Sequence, residues 1–113
     1  MTGPVLNRRL MLERPARVPD GAGGWSTGWT ALGSIWAHVR ARGAGREAFS
    51  GGRERSRVSH RITVRAAPVG SDERPRADQR LRDGARVFRI RAVSEADERG
   101  RFLTVWADEE ATP

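Results

Sequence analysis

The sequence predicts a mainly β protein, a small antiparallel β-barrel or sandwich of about six strands, with a long loop between strands 2 and 3 in which a short helix can form. Several runs alternate apolar and polar residues with the period of two that marks a strand with one buried face. Glycine, proline and aspartate cluster between these runs, where tight turns need them. The length of 113 residues is that of a single small domain, which we expect to span residues 1–113.

Two strands are predicted in the N-terminal half. The first covers residues 6–12, where one set of alternate positions holds Leu6, Arg8, Leu10 and Leu12, and we expect Pro15 to end it. A glycine-rich turn or loop at residues 19–24 follows. The second strand covers residues 29–41, whose odd positions are small or apolar, and Gly33 within it is typical of a bulge or a sharp bend.

Four more strands are predicted in the C-terminal half. They cover residues 58–66, 79–82, 87–93 and 102–107. The first of them shows the cleanest alternation in the chain. Asp83 and Gly84 form a strong signal for a tight hairpin, and Gly100 marks a turn before the last strand. We expect the residues after that strand to form a frayed tail, at about 109–113.

One segment carries most of the positive charge. Residues 40–65 contain eight of the 21 basic residues, all arginines, and two acids, Glu47 and Glu54, which gives +6 of the formal net charge of +7. The chain has no lysine, a bias that a GC-rich genome explains, but such a bias does not explain the clustering. Because four glycines argue against packed core there, we expect a flexible loop at about 43–57, with a short helical turn near 46–49.

The end of the chain is acidic. Residues 95–113 contain six acids and two arginines, a net charge of −4. A basic segment together with an acidic end favours head-to-tail contact between copies as well as contact with DNA. We therefore expect Asp108, Glu109 and Glu110 to pair with a basic surface on an adjacent subunit or ring partner.

The tryptophans suggest both core and interface positions. We expect Trp36 and Trp106 to pack within or beside the core. Trp25 lies in the glycine-rich region, where it either anchors the loop to its own barrel or docks onto a neighbouring subunit, since aromatic residues are favoured at interface hot spots. Binding of single strands by base stacking needs aromatic and basic side chains on one exposed sheet. Here they lie mostly in different segments, which disfavours that mode.

No catalytic, metal or cofactor site is apparent in the sequence. His38 and His60 lack carboxylates placed to complete a metal site, and we expect His60 to be a partly buried, hydrogen-bonded structural residue. Ser50 and Ser56 lie in no nucleophile motif, and the glycine-rich runs match neither a P-loop nor a dinucleotide-binding fingerprint. No apolar run approaches the ~20 residues that span a bilayer. We expect no enzyme activity, no cofactor and no membrane contact.

A series of short segments has a characteristic order along residues 5–110. These are the strand at 6–10, Trp-Thr-Ala-Leu at 29–32, Ile-Trp-Ala-His-Val at 35–39, Gly-Arg-Glu at 45–47, Ser-His-Arg-Ile-Thr-Val-Arg at 59–65, and the segments at 80–82, 87–90 and 103–105. Their order and spacing resemble the small head–tail joining proteins, also called head-completion or stopper proteins, of long-tailed bacteriophages and related phage-like particles. Phe88 stands where that family commonly has a tyrosine.

The resemblance implies a structural protein in the neck of a virion or phage-like particle, assembled in the bacterial cytoplasm. Such proteins form a ring, with six or twelve copies expected, below the portal and its adaptor. The ring continues the channel for double-stranded DNA, retains the packaged DNA and docks the tail terminator or tail tube. The resemblance leaves open the copy number, the identity of the tail partner, and the choice between a true phage and a gene transfer particle.

The resemblance also implies a role for the long loop, which can project into the channel or towards the next ring. We expect Arg46, Arg53, Arg55 and Arg57 to contact either DNA phosphates or an acidic surface of the neighbouring ring. An exposed, solvated loop without a partner is the plainer interpretation. A different class of function stays open as the alternative, namely a small β-barrel that binds nucleic acid in the cytoplasm.

Overall fold

Six strands form one antiparallel sheet that closes on itself. The computed structural model describes the backbone of residues 3–48 and 54–111 and the side chains of residues 3–43 and 57–109. The strands are β1 (Arg8–Pro19), β2 (Trp25–Ala48), β3 (Glu54–Arg65), β4 (Arg80–Asp83), β5 (Arg86–Glu95) and β6 (Phe102–Ala111). Their order around the barrel is β1-β2-β3-β6-β5-β4. Within the described residues there is no helix, and hence none that could cross a membrane. The prediction of a mainly β fold with about six strands is confirmed.

The core lies inside the barrel and takes inward-facing residues from all six strands. The buried apolar residues are Leu10, Leu12, Ala37, Ile62, Val64, Leu81, Phe88, Ile90, Leu103, Val105 and Ala107. His60 is also buried: its ring meets Phe88 edge-on at 5.0 Å, and its Nδ1 lies 3.2 Å from the carbonyl oxygen of Val58. The prediction of a structural His60 is confirmed. The period-2 alternation that predicts the strands therefore also predicts which side of each is buried.

β1 and β2 continue beyond the barrel as a two-stranded extension, the β1–β2 arm. It comprises residues 14–19 and 25–30, and the predicted glycine-rich turn joins them at residues 20–24. The prediction that Pro15 ends β1 is wrong. β4 pairs with β1 only as far as Glu13, so the outer edge of the arm has no described partner strand, and a residue without an N–H is tolerated there.

A bulge bends β2 at the base of this arm. Leu12 pairs with Gly33 whereas Glu13 pairs with Ala31, so β2 carries one extra residue, Leu32. Gly33 has a φ of 145°, a conformation that L side chains rarely adopt. The bulge predicted at Gly33 is confirmed, and it lies where the strand leaves the barrel.

β2 and β3 form a second extension, the β2–β3 arm, which comprises residues 43–48 and 54–59. The prediction of a flexible loop with a helical turn over residues 43–57 is wrong for the described part, and residues 49–53 lie outside it. Each strand glycine costs ~0.5–1 kcal/mol relative to alanine. The pairing nevertheless continues, because the barrel already fixes the register and the ladder satisfies the backbone. A helix of four residues would be too short to be stable.

β6 supports the base of the β2–β3 arm as a third strand. It runs to Ala111 and pairs with β3 as far as Ser56. The predicted frayed tail at 109–113 is therefore wrong for residues 109–111, and residues 112–113 lie outside the described part. Three paired strands are substantially more stable than an isolated two-stranded ribbon, which explains why the ladder persists so far from the core.

Trp36 and Trp106 lie on the outer surface, with 56% and 37% of their surface exposed. The prediction that they pack within or beside the core is wrong. Ala37 and Val105, their neighbours in sequence, are buried in the barrel, and alternation along a strand then places each tryptophan outside.

Candidate functional site

An arginine-rich surface covers the outside of β2 and β3, next to the β2–β3 arm. Because His60 and Ile62 face the core, Arg57 and Arg61 lie on the opposite side of β3. Arg40 of β2 is directly opposite Arg61 in the ladder. We call Arg40, Arg57 and Arg61 the arginine face.

The four arginines predicted to make contacts do not share one side of the arm. Arg57 belongs to the arginine face, and the register places position 55 on the same side of β3. Position 46 lies opposite Ser56, which is on the other side of the ladder. Arg53 lies outside the described residues. The structure therefore groups two of the four predicted positions and separates a third from them.

Arg40 and Arg61 are not among the predicted contact residues, because the sequence places them in strands and the prediction covers only the loop. For Arg61 the sequence does carry a signal, namely the alternation of sides along a strand. Arg57 and Arg61 are four residues apart on one strand, so they must share a side. Arg40 follows from the pairing of β2 with β3, which the sequence does not specify.

The arginine face places two like charges directly next to each other. Arg40 and Arg61 are like charges on directly paired residues, an arrangement that destabilises a sheet. Among the described side chains, neither forms an ion pair. Arg42, the extra residue of a bulge in β2, is exposed and likewise has no described ion pair. An anionic partner would relieve this repulsion.

Asp108 joins the acidic end of the chain to the arginine face. One of its oxygens lies 3.8 Å from Arg57 Nη1 and 3.5 Å from Arg91 Nη1. The other accepts a 3.2 Å hydrogen bond from the Ser59 hydroxyl. Its side chain is largely buried. Asp108 thus holds β3, β5 and β6 together at the base of the β2–β3 arm.

Glu109 lies on the same side of β6 as the buried Val105 and Ala107 and is bound by Arg86. Arg86 donates two hydrogen bonds to it, from Nε at 2.7 Å and from Nη2 at 2.9 Å. His60 Nε2 lies 3.7 Å from the same carboxylate. The hydrogen bond from Arg86 lowers the pKa of Glu109 below its ordinary value, and burial opposes this only in part. Glu109 in turn raises the pKa of Arg86.

Two of the acids predicted to form a subunit interface are therefore already paired within the chain. Asp108 and Glu109 bind arginines of their own barrel, whereas the side chain of Glu110 lies outside the described part. Their pairing with an adjacent subunit stays a prediction. Such a contact would have to compete with, or add to, the pairs that the barrel already makes.

Trp25 lies at the opposite end of β2 from the arginine face. It is 58% exposed, and the guanidinium carbon of Arg17 lies 4.8 Å from its ring centre. The turn before it is held by Asp20, whose carboxylate accepts hydrogen bonds from the N–H groups of Ala22 and Gly24. Of the two predicted roles, the described contact is with the arm itself rather than with the barrel, and docking onto a neighbour stays a prediction.

The two histidines do not meet. His38 is paired with Thr63 on the outer side of the sheet, whereas His60 is inside the barrel. In the part of the chain that the structure describes, no group of three or more histidines and carboxylates is arranged to hold a metal ion. The sites that the chain does show are charged surfaces and exposed aromatic side chains.

Comparison with known proteins identifies the family. Residues 1–110 match the family of phage head completion proteins. A chain in the solved structure of the virion of a native gene transfer agent particle is 46% identical, with a TM-score of 0.86, and the match covers 98% of this chain and 100% of that one. No curated protein matches. The predicted resemblance is confirmed, and the predicted virion or phage-like location agrees with both findings. The chain belongs to the phage head completion protein family.

Proposed function

We propose that this protein is a head–tail connector of a tailed phage or gene transfer particle. Copies of the chain form a ring below the portal and its adaptor, continue the DNA channel, retain packaged DNA and dock the tail. Family membership over residues 1–110 and the likeness to a chain of a gene transfer agent virion support this role. The role is structural, and it needs surfaces rather than a catalytic site.

We infer that the arginine face contacts DNA in the channel. The observation that carries this is the unbalanced pair of Arg40 and Arg61, which lie opposite each other without a described ion pair. When arginines in such a position neutralise phosphates, the DNA releases its condensed cations, and this release favours binding. Side chains that recognise base edges are not needed for this role, because contacts to phosphate carry no sequence information.

The shape of the arginine face favours a linear polyanion over a compact one. Arg57 and Arg61 are separated by four residues, which is ~13 Å along a strand at ~3.3 Å per residue. Position 55 extends the row to ~20 Å. DNA offers one negative charge per ~1.7 Å of its axis, so such a row can follow it. A single bound anion would instead need converging arginines.

Removal of the protein tests the connector role. Particles assembled without it should accumulate as separate heads and tails, and the heads should lose DNA. Electron microscopy and nuclease protection of the packaged DNA measure both effects. Normally tailed, DNA-filled particles would refute the proposed function.

A double variant tests the arginine face. Arg40→Gln with Arg61→Gln removes two charges and keeps a polar side chain at each position, and Arg99→Gln in the exposed β5–β6 loop is the control for loss of a surface arginine elsewhere. We expect the double variant to release DNA at lower salt than the control. For isolated rings, the slope of log K against log salt should fall by ~0.9 for each phosphate that the variant no longer neutralises. Normal DNA retention without tail attachment would instead identify the neighbouring ring as the target.

A further inference from the structure

One side of the β1–β2 arm is rich in aromatic and proline residues. The ladder places Pro15 opposite Trp29 and Pro19 opposite Trp25, with Arg17 between the two prolines. Residues paired directly across an antiparallel ladder lie on the same side of it, as do alternate residues along one strand. These five residues therefore share one side of the arm.

The two ends of this side differ in how they are covered. At the base, the guanidinium of Arg80 in β4 lies 4.2 Å from the ring centre of Trp29. Towards the tip, Trp25 and Pro19 are exposed. The guanidinium of Arg17 lies over the Trp25 ring. A projecting two-stranded ribbon is only marginally stable in water by itself. An exposed apolar tip on such a ribbon is typical of a surface that a partner covers.

A cleft of about 600 Å³, which we call the Trp36 cleft, opens elsewhere on the surface, beside β2. Its apolar lining is formed by Leu6, Ile35, Trp36, Ala66 and Ala67. Trp36 is 56% exposed within it, and two charged residues, Arg65 and Glu73, also line it. The cleft lies where β3 separates from β2, so it accepts an inserted side chain without breaking a ladder.

We propose that the tip of the β1–β2 arm docks into the Trp36 cleft of a second copy of this chain. Trp25 and Pro19 then contact Trp36, and Arg17 faces Glu73 of the next copy. The charges support this choice of partner. Among the described residues neither Arg17 nor Glu73 has an ion pair within its own chain, and the contact between copies gives each an opposite charge.

The proposed contact is one that closes a ring. The arm tip and the Trp36 cleft are different surfaces, so each copy gives one and receives the other, and a head-to-tail contact of this kind forms a closed ring when its rotation closes. The inference rests on the proposed ring and adds how its copies hold together. A contact between two arm tips would instead give a two-fold dimer.

Cysteine cross-linking in assembled particles tests the contact. The chain has no cysteine, so Arg17→Cys and Glu73→Cys introduce its only thiols. With a short bismaleimide, the double variant should give a ladder of covalent multimers that ends at the ring size. Either single variant alone should stay monomeric. The control pair, Arg99→Cys with Glu73→Cys, should give no ladder.

A truncation in the same background tests the energetic role of the tip. Adding Trp25→Ala to the double-cysteine variant removes an aromatic anchor and should weaken the contact about 30-fold, which abolishes the ladder. Adding Trp106→Ala, which truncates an exposed tryptophan on another strand, should leave the ladder intact. A ladder unchanged by Trp25→Ala would overturn the proposal.

Failure of this inference is distinguishable from failure of the proposed function. If the double-cysteine protein is present in the necks of tailed particles but gives no ladder, or if cross-links join two copies of position 17, the contact is refuted and the connector role stands. If a ladder forms with purified protein that is absent from particles, the contact stands and the connector role is refuted.

Discussion

Replacing Glu13 with glutamine should destabilise the protein by about 2 kcal/mol, because Glu13 joins β1 to β4 where the barrel closes. Its carboxylate accepts hydrogen bonds from Arg80 Nε at 2.7 Å and from Arg82 Nε at 3.0 Å. Only 6% of Glu13 is exposed. β4 has four residues, so few backbone bonds are available to compensate.

The magnitude follows from what a glutamine side chain can still do. Its oxygen can keep the bond to Arg80, which changes from a charge-assisted to a neutral acceptor and loses ~1 kcal/mol. Its NH₂ group then faces Arg82, so a donor meets a donor and that bond disappears. Because the Arg82 side chain is 40% exposed, water replaces part of the loss, and we count another ~1 kcal/mol.

The effect should depend on pH. Burial alone raises the pKa of Glu13, but the hydrogen bonds and charges of Arg80 and Arg82 outweigh it and hold that pKa below the ordinary value of 4.5. A carboxyl with a lowered pKa stabilises the folded state above pH 4.5, and this contribution is lost as the pH falls through the lower, folded-state value. The difference between Glu13→Gln and the wild type should therefore shrink in acid.

Urea denaturation at neutral and acidic pH measures both effects. With a slope of ~1–3 kcal/mol per molar urea, a loss of ~2 kcal/mol lowers the midpoint by about 1 M. Glu98→Gln, in the exposed β5–β6 loop, is the matched control and should not shift the midpoint. Equal midpoints for the two variants at neutral pH, or a difference that persists unchanged in acid, would refute the role of Glu13.

Two further predictions concern stability. Arg86→Gln leaves Glu109 without its main partner and should destabilise the protein by ~1 kcal/mol, a value kept small because the Arg86 side chain is 45% exposed. Because the pKa of Glu109 is lowered in the folded state, this loss of stability should disappear in acid. Urea midpoints at neutral and acidic pH check it. Gly33→Ala should destabilise the protein by ~1–3 kcal/mol because Gly33 has a positive φ. Gly43→Ala is the control, because Gly43 has neither a positive φ nor a close neighbour, and it should be neutral or slightly stabilising in thermal unfolding. Equal melting temperatures for the two variants would contradict the bulge.

The barrel was predictable from the sequence because its strands carry their own signal. Residues 58–66 alternate so regularly that the inward side of β3, with His60 and Ile62, follows from the sequence alone. Gly33 marked the bulge because a residue without Cβ fits a positive φ. These features depend on residues close together in the chain, and such local patterns can be recognised in a single sequence.

The two arms were harder to predict because tertiary pairing forms them. Glycine is depleted in strands, and arginine is not among the residues enriched there, so the sequence predicts a loop at about 43–57. They pair because the barrel fixes their register and because β6 extends to Ala111 beside them. The arginine face also depends on tertiary pairing. Alternation along β3 predicts the outward position of Arg61, but Arg40 lies beside it only because β2 pairs with β3. The hydrophobicity of Trp36 favours a buried position, but alternation along β2 places it outside, because its neighbour Ala37 is the buried residue.

β2 connects the two proposed contacts mechanically. It runs for 24 residues through both arms and leaves the barrel at a bulge on each side, next to Gly33 and at Arg42. Bulges are frequent at barrel rims because they redirect a strand without breaking its ladder. Since one strand carries both arms, a copy held through its β1–β2 arm has its arginine face fixed in orientation. In the proposed ring, every copy would then present that face at the same height, as the proposed contact with DNA of any sequence needs.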